Sequence, residues 1–120
     1  MTRMALRKLV ERMTPKPVAE LDRAKLDQFR IDHHGVACDE LAERQRVEIA
    51  GEVRSVRIVP RAGAPALEVL VTDGRGTVTA VFLGRRKIVG LSPGRRLMLS
   101  GLTVRDGHRM LIYNPVYELR

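Results

Sequence analysis

The stretch TDGRGTVTAVFLGRR, Thr72 to Arg86, places two glycines ahead of an alternating apolar run, then closes the run with a glycine and positive charge. A glycine-rich segment that cradles phosphate runs from a strand into a helix, so that free N–H groups at the helix start face the anion. Here the residues after Gly76 alternate instead, with Val78, Ala80 and Phe82 on one side of a strand, and no Lys-Ser/Thr pair follows the glycines. The stretch therefore predicts a hairpin. Leu67, Val69 and Val71 share a face of the strand LEVLVTD, DGRG turns the chain, and TVTAVFLG returns it.

Both flanks extend the same pattern. Before the hairpin, VEIAGEVRSVRIV alternates around Gly51, where a strand glycine marks a bulge or sharp bend, and RAGAPA reads as a loop. After it, RRKIVGLSPG breaks the alternation with room for about one helical turn and then a turn. RRLMLSGLTV is a fourth strand, RDG a hairpin signal, and HRMLIYNPVYEL a fifth and last strand. A five-stranded Greek-key barrel needs these features: a kinked first strand shared by both sheets, and an insert after strand three whose Ile88, Val89 and Leu91 cover an open end. An SH3-like barrel accommodates that insert less naturally. The expected fold is mainly β, an oligonucleotide-binding (OB) barrel over residues 47–120 with an α-helical extension and linker over residues 1–46.

In that extension Leu6, Leu9, Val10 and Met13 fall on one helical face, and TPKP stops the helix. Pro17 suits the first position of a second helix carrying Val18, Leu21 and Phe29 in a looser stripe. DHHGVACD is a connection, and Asp39 can cap a short turn through Glu40 to Arg44. The first stripe either packs on the barrel or pairs with another chain, which leaves a homo-oligomer open.

With 120 residues, 44% of them hydrophobic, the chain holds one core. No apolar run has the length of a membrane span, and the single Cys38 fits a reducing cytoplasm. The net charge is +8 and is uneven: residues 1–46 hold ten basic and eight acidic groups, residues 47–120 twelve and six. A basic excess on the barrel favours a polyanionic partner over a merely solubilising surface.

From GEVRSV through LEVLVTDGRGTVTAVFLGRRKIVGLSPG to RLMLSGLTVRDGHRMLIYNPVYEL, the chain resembles the OB barrel of RecG-type helicase wedge domains. It is more similar still to short stand-alone OB-fold nucleic-acid-binding proteins of actinobacteria. The resemblance covers about residues 45–120 and rests on Asp73-Gly74-x-Gly76, the strand ending at Phe82, Leu91-x-Pro93-Gly94, and NPVYEL. It implies nucleic-acid binding. The helicase motor motifs are absent from the sequence, and no Ser-His-acid set or defined carboxylate pair points to an enzyme.

Single-strand binders on this barrel combine basic grooves with aromatic platforms. Aromatics are scarce here: Phe82 reads as core, Tyr117 as packed, and Tyr113 as either platform or structural. Arginine must carry most of any binding, through forked phosphate contacts and stacking on bases. The candidates are Arg54 and Arg57 on strand one, Arg61 in the following loop, and Arg75 at the hairpin. Further along come Arg85, Arg86 and Lys87 after strand three, and Arg105, His108 and Arg109 at the last hairpin. Thr77, Thr79 and Val81 supply the floor and Tyr113 a ring. Asp32, His33, His34, Cys38 and Asp39 lack the spacing of a metal site, so neither metal nor cofactor is expected. The favoured partner is single-stranded DNA or RNA. The alternative is a protein-interaction or oligomerisation module whose barrel no longer binds nucleic acid.

Overall fold

Sixteen residues, Arg46–Arg61, form one long strand, β1, that serves two partners. In the computed structural model, which describes residues 18–120, Arg46 to Glu52 lie antiparallel to β4 (Arg96–Asp106). From Glu52 onward β1 pairs instead with β2 (Ala64–Thr72). Gly51 sits at the changeover, and a Cβ there would lie 2.6 Å from the Thr72 carbonyl oxygen and 2.8 Å from Val71 Cγ1. Only a residue without a side chain lets the strands approach so closely. The register then slips between Val53 and Ser55, leaving Arg54 as the extra residue of a bulge.

β2 turns through DGRG into antiparallel β3 (Thr77–Leu83), which meets β5 (Arg109–Tyr113) in parallel. β5 pairs with β4, and β4 with β1, so the strands close in the order β1-β2-β3-β5-β4-β1. This is the expected barrel, with Gly51 at the bend of the shared strand.

Within the barrel, three local expectations are corrected. The RAGAPA segment is a two-residue hairpin: Ala62 (φ 48°) and Gly63 (φ 80°) both take the left-handed region that a tight hairpin needs, so Arg61 belongs to β1 rather than to a loop. The connection from β3 to β4 contains turns and no helix; Ile88 and Leu91 enter the core as expected, but Val89 is 83% exposed. The last strand is two. Asn114 adopts a φ of 45° and Pro115 has no N–H to give, so pairing breaks and β6 (Val116–Leu119) resumes along β4 one residue out of register. Asn114 also closes the end of β3, donating its N–H to the Val81 carbonyl and accepting from the Leu83 N–H.

The barrel interior holds Ile49, Val69, Val71, Val78, Phe82, Leu97, Leu99 and Ile112, together with Cys38 from ahead of β1; Val36 and Leu41 pack against them. Helix α1 (Val18–Asp32) buries Leu26 and Phe29 outside that interior cluster, and the Arg96 guanidinium lies 5.2 Å from the centre of the Phe29 ring. Val18 and Leu21, expected in its apolar stripe, are exposed. Cys38–Glu40 form a single 3-10 turn that contains Asp39, rather than a turn capped by it. The stripe at Leu6, Leu9, Val10 and Met13, and Pro17, lie outside the described residues.

Substituting Gly51→Ala is expected to lower stability by about 1–3 kcal/mol, the usual cost of forcing atoms into a packed site. Urea unfolding should show a lower midpoint with an unchanged slope. Deleting residues 1–30 should leave a folded barrel that keeps a near-UV circular dichroism signal, whereas deleting residues 1–41 should abolish it, because only the second removes Val36, Cys38 and Leu41.

Candidate nucleic-acid interface

Residues paired across a sheet point to the same side, so the registers define the outward face of β1, β2, β3 and β5. One row runs Arg57, Glu68, Val81, Tyr113; the next runs Ser55, Leu70, Thr79, Leu111. Val81 and Leu111 are fully buried and form, with Ala66, a small apolar cluster separate from the barrel core. Two shallow depressions cross this face and share Leu70, Thr79 and Arg109. One reaches Ser55, Arg57 and Glu68, and the other Thr77, Arg105, His108 and Asp39.

Glu68 is the centre of the arrangement. It is only 3% exposed, yet three guanidinium groups converge on it. Arg109 Nη1 donates to Oε1 at 2.9 Å, Arg57 Nη2 to Oε1 at 3.3 Å, and Arg61 Nη2 to Oε2 at 3.3 Å. Burial alone would raise the carboxyl pKa, but hydrogen bonds from Arg109, Arg57 and Arg61 and the charge of Arg109 hold it below the ordinary value. Arg109 also donates to Asp106, and its own pKa is raised, first by the bond to Glu68. Arg61 Nη1 donates to the Tyr113 hydroxyl at 2.9 Å, and the guanidinium carbon sits 5.5 Å from that ring's centre. Tyr113 is 38% exposed, which leaves part of its ring open. Sequence reasoning missed Glu68 altogether. Alternation gives the direction of its side chain but says nothing of partners contributed by β1 and β5.

The structure brings some of the other candidates to the same face and leaves others apart. Thr79 is nearly buried in the floor and Thr77 is exposed beside it. At one end the exposed Arg105 and His108 flank the β4–β5 hairpin. Arg75 is paired with Asp39 at 3.2 Å, next to a turn held by Asp73. Asp73 is fully buried: Oδ1 accepts from the Arg75 and Gly76 N–H groups and Oδ2 from the Cys38 N–H at 2.7 Å. At the other end the Gly84 N–H donates to the Pro65 carbonyl, so Arg85, Arg86 and Lys87 leave the barrel beside the β1–β2 hairpin, near Arg61 and Tyr113. All three are exposed and have no carboxylate partner among the described residues. Arg54 stands apart in the β1 bulge, where Val53 exchanges backbone hydrogen bonds with Gly94 and Arg95.

Phe82 is core, as its alternation indicates, and Tyr117 meets it edge-on at 5.7 Å while staying 38% exposed. Burial and the neighbouring Asp73 push the Cys38 thiol up to about 12, so at neutral pH it is protonated and a poor nucleophile. Among the described residues no three His, Cys, Asp or Glu side chains gather as a metal site, and no helix is long and apolar enough to cross a membrane.

A carboxyl whose pKa is lowered by folding stabilises the fold above its unfolded value, and that contribution fades as pH falls through the folded value. Stability measured by thermal melts should therefore drop across the acid range, and Glu68→Gln should flatten that part of the profile.

No family model matches the chain, and no curated protein matches it in sequence. Among solved structures it is similar to the OB domain of MM0293 from Methanosarcina mazei, solved by NMR in solution. The TM-score is 0.53 at 15% identity, over 68% of this chain and 78% of that one. It is also similar to the p204 HINb domain, with a TM-score of 0.56 at 14% identity over 76% of this chain. The match spans 49%, about half, of the latter's length. At such identities the likeness is one of fold, and with the closed strand order it establishes that residues 46–119 fold as an OB barrel.

Proposed function

We propose that this protein is a non-enzymatic nucleic-acid-binding module that takes single-stranded DNA or RNA across the β1–β2–β3–β5 face. The observation that carries the reading is the gathering of Arg57, Arg61 and Arg109 with Tyr113 on that face. Arg105 and His108 stand at one end of it and Arg85, Arg86 and Lys87 leave beside the other. This is the face and loop pair that OB barrels use for oligonucleotides. Guanidinium groups fork onto phosphates and stack on bases, which offsets the scarcity of aromatic rings. The resemblance of residues 45–120 to RecG-type wedge barrels and to stand-alone actinobacterial OB proteins adds to the reading.

A second reading, a protein-interaction module, is favoured by a different surface. Where β1, β4 and β6 run side by side, Leu102 and Val116 are exposed, at 43% and 73%. An oligomer formed through the N-terminal stripe belongs to the same reading.

Anisotropy of labelled single- and double-stranded DNA and RNA at two salt concentrations separates the two. The first reading expects binding that prefers single strands and falls steeply with salt, because phosphate neutralisation releases counterions. Replacing Arg85, Arg86 and Lys87 with alanine should weaken binding for all sequences and reduce the log–log salt slope by roughly one for each phosphate no longer neutralised. Folding stability should change by less than about 0.5 kcal/mol, since these side chains are exposed. Wild-type protein that binds no nucleic acid at low ionic strength would leave the field to the protein-interaction reading.

A further inference from the structure

Arg57 and Arg61 on β1 and Arg109 on β5 carry like charges that repel one another, and long arginine side chains at exposed positions sample many rotamers. On this face a buried carboxylate opposes both effects. Glu68, buried beneath Arg57, Arg61 and Arg109, accepts from all three, and the four groups together keep a net charge of +2. Each bond to Glu68 uses one guanidinium nitrogen of its arginine. Beyond these, Arg61 binds the Tyr113 hydroxyl and Arg109 binds Asp106. Most of the N–H donors on the three forks are therefore unspent. Arg57 is 64% exposed, so the cluster opens to solvent although its carboxylate does not. Arg61 Nε is buried without a hydrogen-bond partner, a donor left over inside the cluster.

We propose that Glu68 is a positioning residue that holds Arg57, Arg61 and Arg109 as a preformed cradle for one phosphate group, with the Tyr113 ring fixed at its edge. The proposal rests on the nucleic-acid reading for the source of that phosphate, a nucleotide strand, but not for the cradle itself. Ordering three rotamer-rich side chains before the ligand arrives removes a cost that binding would otherwise carry.

The sign of one substitution tests it. Glu68→Gln keeps the shape and removes a negative charge from a site for a polyanion. If charge alone matters, binding tightens. If Glu68 positions the arginines, binding of a labelled single-stranded oligonucleotide weakens, by about tenfold, equivalent to about 1.4 kcal/mol. The salt slope should fall by roughly one, since one phosphate is no longer neutralised. Circular dichroism checks that the variant is folded. A second variant, the triple Arg57→Lys, Arg61→Lys, Arg109→Lys, conserves charge but not the forks, and it should weaken binding similarly.

An independent arm uses inorganic pyrophosphate as the probe, followed by NMR of arginine side-chain N–H signals in the full chain. Shifts confined to Arg57, Arg61 and Arg109, and abolished in Glu68→Gln, support the cradle even if no oligonucleotide binds; in that case the nucleic-acid reading fails and the phosphate has another source. Where the wild-type protein binds an oligonucleotide, tighter or unchanged binding by Glu68→Gln overturns the proposal. So do arginine signals that pyrophosphate leaves unmoved.

Discussion

The barrel closes because one strand changes partner, and it changes partner where a side chain is missing. β1 pairs with β4 up to Glu52 and with β2 from there on, and Gly51 lies against the Thr72 carbonyl at the crossing. Everything on the outward face follows from that crossing. It brings the second half of β1, with Ser55, Arg57 and Arg61, alongside β2. The first half, with Arg46 and Glu48, goes to the opposite side next to β4. The bulge at Arg54 absorbs the remaining twist, and beyond it Ser55 and Arg57 pair with Leu70 and Glu68 on the face, while Val56 packs against the core.

Two carboxylates hold this arrangement by different means. Asp73 is fully buried and satisfied almost wholly by backbone N–H groups, from its own hairpin and from Cys38. It is a structural knot that ties the segment ahead of β1 to the β2–β3 turn, and it binds that segment to the core that Cys38 enters. Glu68 is satisfied by side chains alone, two from β1 and one from β5. A carboxylate held by backbone shapes the chain, whereas one held by arginines shapes a surface.

Most of the barrel is legible in the sequence, because it depends on signals that are local. Alternation places β2 and β3 and assigns Phe82 to the core, DGRG marks their hairpin, and Gly51 marks the bend. Where sequence and structure differ, the signals are also local but compete. RAGAPA has the composition of a loop, yet Ala62 and Gly63 alone suffice to turn the chain. NPVYEL reads as a continuation of the last strand, although Asn tolerates the left-handed region and Pro cannot donate. The site is less legible for a different reason. Each arginine can be named as a cation, but which of them share a carboxylate is decided by strand order. In the sequence Glu68 is one acid among apolar neighbours, and its partners lie 11, 7 and 41 positions away.

That pairing divides the cations into two physical kinds. Arg57, Arg61 and Arg109 are bound to a buried anion, so their field is partly cancelled and their geometry is restrained. Arg85, Arg86 and Lys87 are exposed with no carboxylate partner among the described residues, so their charge is uncancelled and their geometry is loose. Loose, uncompensated charge acts at a distance of about a Debye length, roughly 8–10 Å at ordinary salt, and mainly raises the rate of encounter. Ordered donors act only at contact, where they set register and residence time. On the proposed interface the two kinds stand next to each other, because Gly84 is bound to Pro65 beside the hairpin that carries Arg61. A strand drawn in by the basic run would thus meet the Tyr113 end of the ordered face first. The scarcity of aromatic rings then has a structural counterpart: among the described residues, the tyrosine ring exposed on this face, Tyr113, is one that an arginine already contacts.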